Sequence, residues 1–326
     1  MMLNPISTTR QTPLVIQTRG LTKRFERHIA VNEVDLDIQA GEVYGLIGPN
    51  GAGKTTLIRM LATAEAPTHG EVYINGERLL PQQPNPAIKR RLGYLPDDFP
   101  VYDDLTVWDY LDYFARLYTL RHRPRQQRLF EVLELVQLVT KRKSKVATLS
   151  RGMKQRLSLA RTIIHEPVLL LLDEPVSGLD PIARTQFREI IKTLQEAGMT
   201  ILISSHVLSD LAELCTSIGV MELGCLVEST SLAELYRRRG RQKLCLTTLG
   251  DRPALLSLLQ NHPLIADIQS DSTNLSQVTA YFSGTPADAA ALLRSLIEAD
   301  IPLTQFQPTS TDLETIFLQL GHQQAS

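Results

Sequence analysis

Apolar and polar residues alternate singly along Asn32-Glu33-Val34-Asp35-Leu36-Asp37-Ile38, the period of a strand with one dry and one wet face. Val72 to Leu79 reads as a hairpin turned at Asn75-Gly76, so an antiparallel layer is predicted early in the chain. Unbroken apolar runs at Val43 to Ile47, Val168 to Leu172 and Thr200 to Ile203 are expected as fully buried strands of a parallel sheet, the last two separated by a helix from Pro181 to Ala197. Between Thr106 and about His165 the period becomes helical. Val107, Trp108, Leu111, Phe114, Leu117 and Tyr118 share one predicted face, and Leu129, Val132, Leu133 and Val136 another.

Beyond Glu228 the run Arg237-Arg238-Arg239-Gly240-Arg241 reads as a charged linker, after which the pattern restarts. Leu244 to Thr248, Pro253 to Gln260, Ala266 to Ser270, Gln277 to Phe282, Pro286 to Ala299 and Leu303 to Gln307 follow β-α-β-β-α-β order, that of a ferredoxin-like α+β domain. A last helix, Asp312 to Leu320, is predicted to pack back on its sheet. The expected organisation is a polar tail over 1–13, an α/β core over 14–228 with a helical subdomain at about 98–165, a linker over 229–242, and a smaller α+β domain over 243–321.

Gly48-Pro49-Asn50-Gly51-Ala52-Gly53-Lys54-Thr55-Thr56 matches the phosphate-binding loop Gly-x-x-x-x-Gly-Lys-[Ser/Thr] between a predicted strand and a predicted helix. Asn50, Gly51, Ala52 and Gly53 lie where backbone N–H groups curl around phosphates. Lys54 is expected on the β and γ phosphates, and the Thr55 hydroxyl on Mg²⁺, with Thr55 and Thr56 at the positive end of the helix. The chain is therefore expected to bind a nucleoside triphosphate. Four leucines run into Asp173-Glu174, two carboxylates that strand alternation points in opposite directions. Asp173 suits the metal, and Glu174 suits a general base for water attack on the γ-phosphate.

Leu149-Ser150-Arg151-Gly152-Met153-Lys154-Gln155-Arg156, followed by Asp173-Glu174-Pro175, Ser177-Gly178-Leu179-Asp180 and Ser204-Ser205-His206, closely resembles the ATP-binding subunit of an ABC transporter over about Val15 to Glu228. The C-terminal stretch, ending Asp312-Leu313-Glu314-Thr315-Ile316-Phe317, resembles the accessory domain of exporter-type subunits. The resemblance implies a P-loop ATPase core of mostly parallel sheet with an antiparallel β subdomain and a helical insertion, using ATP and Mg²⁺. It implies that Phe25 stacks on adenine, that His206 hydrogen-bonds the γ-phosphate, and that Ser150 and Gly152, at a helix N-terminus, meet a nucleotide held by the opposite subunit, with Asp180 at the seam. One set of motifs then requires a head-to-tail homodimer. The implied partner is a separate integral membrane permease, contacted through Asp98 to Trp108, with the chain peripheral on the cytoplasmic face and the direction of transport outward.

Three positions depart from the family. Asp97 stands where a glutamine usually contacts Mg²⁺ and relays to the permease; a carboxylate still ligates Mg²⁺ but is shorter and charged. Arg151 and Met153 replace the usual Gly and Gln, and the sequence leaves open whether Arg151 faces phosphate or solvent.

Over 326 residues the formal net charge is −1, which gives no support for nucleic acid as a partner. Cys215, Cys225 and Cys245 lack metal-ligand spacing and are expected as reduced thiols. No apolar run approaches the roughly 18 residues of a membrane span. Basic clusters at Arg121 to Arg128 and Lys141 to Lys145 read as solvated loops, with lipid headgroups the alternative. Rival classes are a soluble ABC-type ATPase acting on ribosomes or DNA, which usually carries two cassettes or a coiled-coil insertion, and a GTP switch, which would need an Asn-Lys-x-Asp motif that is missing here.

Overall fold

The alternation at the start of the chain builds a sheet of long antiparallel strands. β1 (Leu14–Phe25) pairs with β2 (His28–Gln39) and with β4 (His69–Ile74), and β4 with β5 (Glu77–Arg78), giving the order β2-β1-β4-β5. Val34, Leu36 and Ile38 are buried while Asp35 and Asp37 are exposed. The hairpin turns at Asn75 and Gly76, both at positive φ, as a two-residue turn requires.

The apolar runs form a second sheet. β3 (Val43–Ile47), β6 (Leu92–Leu95), β7 (Leu169–Leu172), β8 (Thr200–Ser205), β9 (Ser217–Glu222) and β10 (Cys225–Ser231) take the order β10-β9-β3-β8-β7-β6, parallel throughout except for the β9–β10 edge pair. Every residue of β3, β7 and β8 is buried, which explains why these strands carry no polar alternation. Among the described residues this part also holds helices α1 (Lys54–Leu61), α2 (Pro86–Arg90), α3 (Val107–Leu117), α4 (His122–Leu135), α5 (Arg151–Ile163) and α6 (Pro181–Glu196). One hydrophobic core joins the two sheets: Leu21, Leu36 and Ile74 from the antiparallel layer pack with Leu57 and Ile58 of α1 and Leu46, Leu171 and Leu202 of the parallel sheet.

The structure, a computed structural model, describes residues 13–80, 85–98, 100–207, 211–239, 242–249, 252–270 and 277–309. The chain divides into two units, Met1–Ser231 and Leu232–Ser326. The second opens with α7 (Leu232–Arg239) and continues as β11 (Gln242–Thr248), α8 (Arg252–Gln260), β12 (Ile265–Ser270), β13 (Gln277–Phe282), α9 (Pro286–Glu298) and β14 (Leu303–Thr309). Its antiparallel sheet has the order β12-β13-β11-β14, that of a ferredoxin-like domain. Leu244, Leu246, Val278, Ala280 and Phe282 present one sheet face to Leu255 and Leu259 of α8 and to Ala289, Leu292 and Leu296 of α9.

Three expectations are corrected. The stretch read as a linker, 229–242, holds the end of β10, helix α7 and the first residue of β11; the arginine run sits largely on a helix, whose propensity a charged linker reading ignored. In α3 the buried residues are Val107, Tyr110, Leu111 and Ala115, and Leu117 is exposed. Tyr110 lies outside the predicted face, but its hydroxyl accepts a hydrogen bond from Arg161 (3.1 Å), which lets the ring enter the core. Of the basic clusters, Arg125 pairs with Asp112 (2.7 Å), and Arg128 donates to the carbonyls of Ile163 (2.9 Å) and Ile164 (3.2 Å), satisfying the C-terminal end of α5. The expected helix at Asp312 to Leu320 lies outside the described residues.

Candidate functional site

The loop after β3 reaches the N-terminus of α1 through Gly53, whose φ of +102° and crowding against the Ala30 carbonyl exclude a side chain. This conformation brings the backbone round so that α1 begins at Lys54 with no side-chain cap, leaving its first N–H groups for an anion. Phe25, His28, Ala30, Asn50, Gly51, Ala52, Gly53, Lys54, Thr55, Thr56, Asp97, Glu174, Ser177 and His206 line one open cavity of about 460 Å³. Residues from four separate parts of the sequence thus converge on the phosphate-loop helix.

Beneath the loop, Thr55 Oγ1 donates to Asp173 Oδ1 (3.1 Å), and Ser204 Oγ donates to the same oxygen (2.7 Å) while accepting the Glu174 backbone N–H (2.9 Å). Lys54 Nζ donates to the Gly48 carbonyl (2.7 Å) and stands 3.7 Å from Glu174 Oε1. His206 Nδ1 is 2.7 Å from Glu174 Oε2. The two carboxylates do not diverge as strand alternation predicted. β7 ends at Leu172, and Glu174 takes a positive φ of 47°, so Asp173 and Glu174 converge on consecutive residues, Thr55 and Lys54. Holding a non-glycine residue there costs about 1 kcal/mol or more, strain of the kind found at functional sites.

Burial pushes the Asp173 carboxyl above the usual carboxylate range; hydrogen bonds from Ser204 and Thr55 oppose this, and the charges of Asp97 and Glu174 add to it. Phe25, at the end of β1, is 44% exposed at the cavity, with Lys23 Nζ 4.8 Å from its ring centre. The ring is therefore not core packing and has a face to offer.

Ser150, Gly152 and Asp180 are not among the residues lining this cavity. Ser150 caps α5, accepting the Met153 N–H (3.3 Å), and Asp180 caps α6, accepting the Ala183 N–H (2.9 Å). The two helix starts meet where Gly152 lies against Ala183.

A family model described as ABC transporter matches residues 31–177. The bacitracin transport ATP-binding protein BcrA of Bacillus licheniformis is 33% identical over 307 residues, 94% of this chain and 97% of its own. The uncharacterized ABC transporter ATP-binding protein YcbN of Bacillus subtilis (strain 168) is 34% identical over 308 residues, 94% of this chain and 96% of its own. The chain belongs to the ABC transporter ATP-binding subunits. Among solved structures, this subunit is similar to the cassette MJ0796 in a dimeric post-hydrolysis state bound to ADP and Pi, at 25% identity and a TM-score of 0.60, over 67% of this chain and 98% of that one.

In this ATP-binding subunit Thr55 Oγ1 and the carboxylates of Asp173 and Asp97 are the oxygens beside the phosphate loop that could hold a metal. Among the described residues no three His, Cys, Asp or Glu side chains are grouped to hold a metal alone. A sparse oxygen set suits Mg²⁺, which keeps its waters and takes the rest of its ligands from phosphates. Sequence reasoning gave Ser204 no role, although it steadies both Asp173 and the Glu174 backbone. The available signal was two serines ending a buried apolar strand, since buried hydroxyls need partners.

Proposed function

We propose that this subunit hydrolyses MgATP as a head-to-tail homodimer and drives a separate membrane permease in export. The observation that carries the reading is the convergence of Lys54, Glu174 and His206 at one cavity, with the capped starts of α5 and α6 outside it. A nucleotide held by the phosphate loop then has donors on one side only. A second copy presenting Ser150 and Gly152 supplies the other, with Asp180 at the seam, and the dimeric state of the similar cassette MJ0796 supports this.

Lys54 holds the β and γ phosphates, and the N–H groups of Gly51 to Thr56 surround them. Phe25 stacks on the adenine. Thr55, Asp173 and Asp97 hold Mg²⁺, which when bound neutralises phosphate charge. A water attacks the γ-phosphorus in line: its oxygen forms the new P–O bond, the bond to the ADP oxygen breaks, and Glu174 takes the water proton. His206 orients Glu174 through Oε2 and has Nε2 left for the γ-phosphate. Asp97 relays site occupancy to the permease, which docks at Asp98 to Trp108. No described helix is long and apolar enough to cross a membrane.

Glu174→Gln is expected to lower ATPase activity by about 10²- to 10⁴-fold and to trap an ATP-bound dimer. Light scattering at saturating MgATP checks this, and a species that stays monomeric refutes the dimer. Affinity capture of the same variant from detergent-solubilised membranes of its host should recover a multi-span protein in stoichiometric amount. Ribosomes or DNA-repair proteins in its place would favour the soluble class.

A further inference from the structure

Arg151 occupies the first turn of α5, where the helix dipole disfavours a cation. Its guanidinium turns back to the segment after Glu174: Nη2 donates to the Ser177 carbonyl at 3.1 Å. Gly178, at a φ of +66°, leaves the space the guanidinium fills, since a Cβ built there would lie 2.5 to 2.6 Å from Nη1, Cζ and Nη2. The next residue, Gly152, fits equally closely against Ala183. The start of α5 is thus seated on the segment from Ser177 to Ala183 at two successive positions. Ser177 itself lines the nucleotide cavity, and its N–H donates to the Glu174 carbonyl at 3.1 Å. An unbroken chain of hydrogen bonds therefore runs from the α5 N-terminus through Arg151 and Ser177 to the backbone of Glu174.

We infer that Arg151 is a positioning residue: it ties the helix start that meets a partner's nucleotide to the loop that sets Glu174 in its own protomer, and so couples the two ATP sites. The inference rests on the dimer proposed above. A docked α5 and a displaced α5 present Glu174 with different loop positions, so occupancy of one cavity alters turnover in the other without any contact between Arg151 and phosphate.

The test uses the full chain with R151A, R151K, G178A and the double variant R151A/G178A, measuring ATPase rate against MgATP concentration. R151A is expected to lower kcat about tenfold, with KM within about twofold and the Hill coefficient falling toward one. R151K, which keeps one donor for the Ser177 carbonyl, is expected to recover part of the loss. G178A displaces the guanidinium, so the double variant should lose much less than the product of the two single losses; the strain of alanine at positive φ is common to both backgrounds and cancels in the cycle. In the Glu174→Gln background, R151A should leave the ATP concentration needed for dimerisation unchanged. Additive losses with an unaltered Hill coefficient would overturn the inference. A dimer that forms in Glu174→Gln but is lost on adding R151A would overturn it too, assigning Arg151 to the partner's phosphate. A Glu174→Gln chain that never dimerises would bring down the underlying reading, an outcome separable from both.

Discussion

Asp173 is a charge placed where the fold alone would not put one. Its side chain is buried beneath the phosphate loop with two hydroxyls and two carboxylate neighbours, and its pKa is raised by that burial. The sign of the consequence follows from linkage. A carboxyl whose folded pKa lies above its unfolded value penalises the fold while it is ionised, and the penalty is relieved as pH falls through the folded pKa. Asp173→Asn is therefore expected to melt higher than the parent at pH 7 without nucleotide, with the advantage fading on acidification, while MgATP-dependent turnover is lost. Thermal melts across pH decide it; a variant less stable at pH 7 would show that the hydroxyl bonds outweigh desolvation. Asp97 contributes to the same field. Asp97→Ala is expected to change ATPase rate or its coupling to transport, and identical values for both would remove Asp97 from the relay.

Among the elements, what could be read from sequence was whatever short-range geometry sets. The phosphate loop, the Asn75-Gly76 turn and the buried leucines of β7 each depend on neighbours within a few residues, and each is where the pattern put it. What could not be read depends on partners distant in sequence. Tyr110 is buried only because Arg161 reaches its hydroxyl, Glu174 turns toward Lys54 only because its own backbone, past the end of β7, takes a positive φ, and Arg151 finds Ser177 only because α5 lies against the start of α6. Helix α9 is a local case with a clean test. Thr285 and Asp288 form a reciprocal capping box at its N-terminus, and Pro286 follows the cap. Thr285→Ala should destabilise the second unit by about 1 kcal/mol, read from chemical denaturation, and leave ATPase activity unchanged. A loss of activity in parallel with stability would mean that α9 contributes to the site.

At the level of the whole chain, each unit has its own core. The first joins both of its sheets through Leu36, Leu57 and Leu171, and the second closes Leu244, Phe282, Leu255 and Leu292 into a cluster of its own. Separate cores make separate cooperative units, and a ligand stabilises only the unit that binds it. Calorimetry on the full chain is therefore expected to show two transitions. With MgATP at about a hundred times its Kd, the transition of Met1–Ser231 should gain about 2.7 kcal/mol, while that of Leu232–Ser326 stays in place. Thr285→Ala should do the reverse, lowering only the transition that MgATP does not move. Together the two perturbations assign each transition to its unit without cutting the chain. A single transition that responds to both would show that the units unfold as one, and nucleotide bound at Lys54 would then be felt as far as α9.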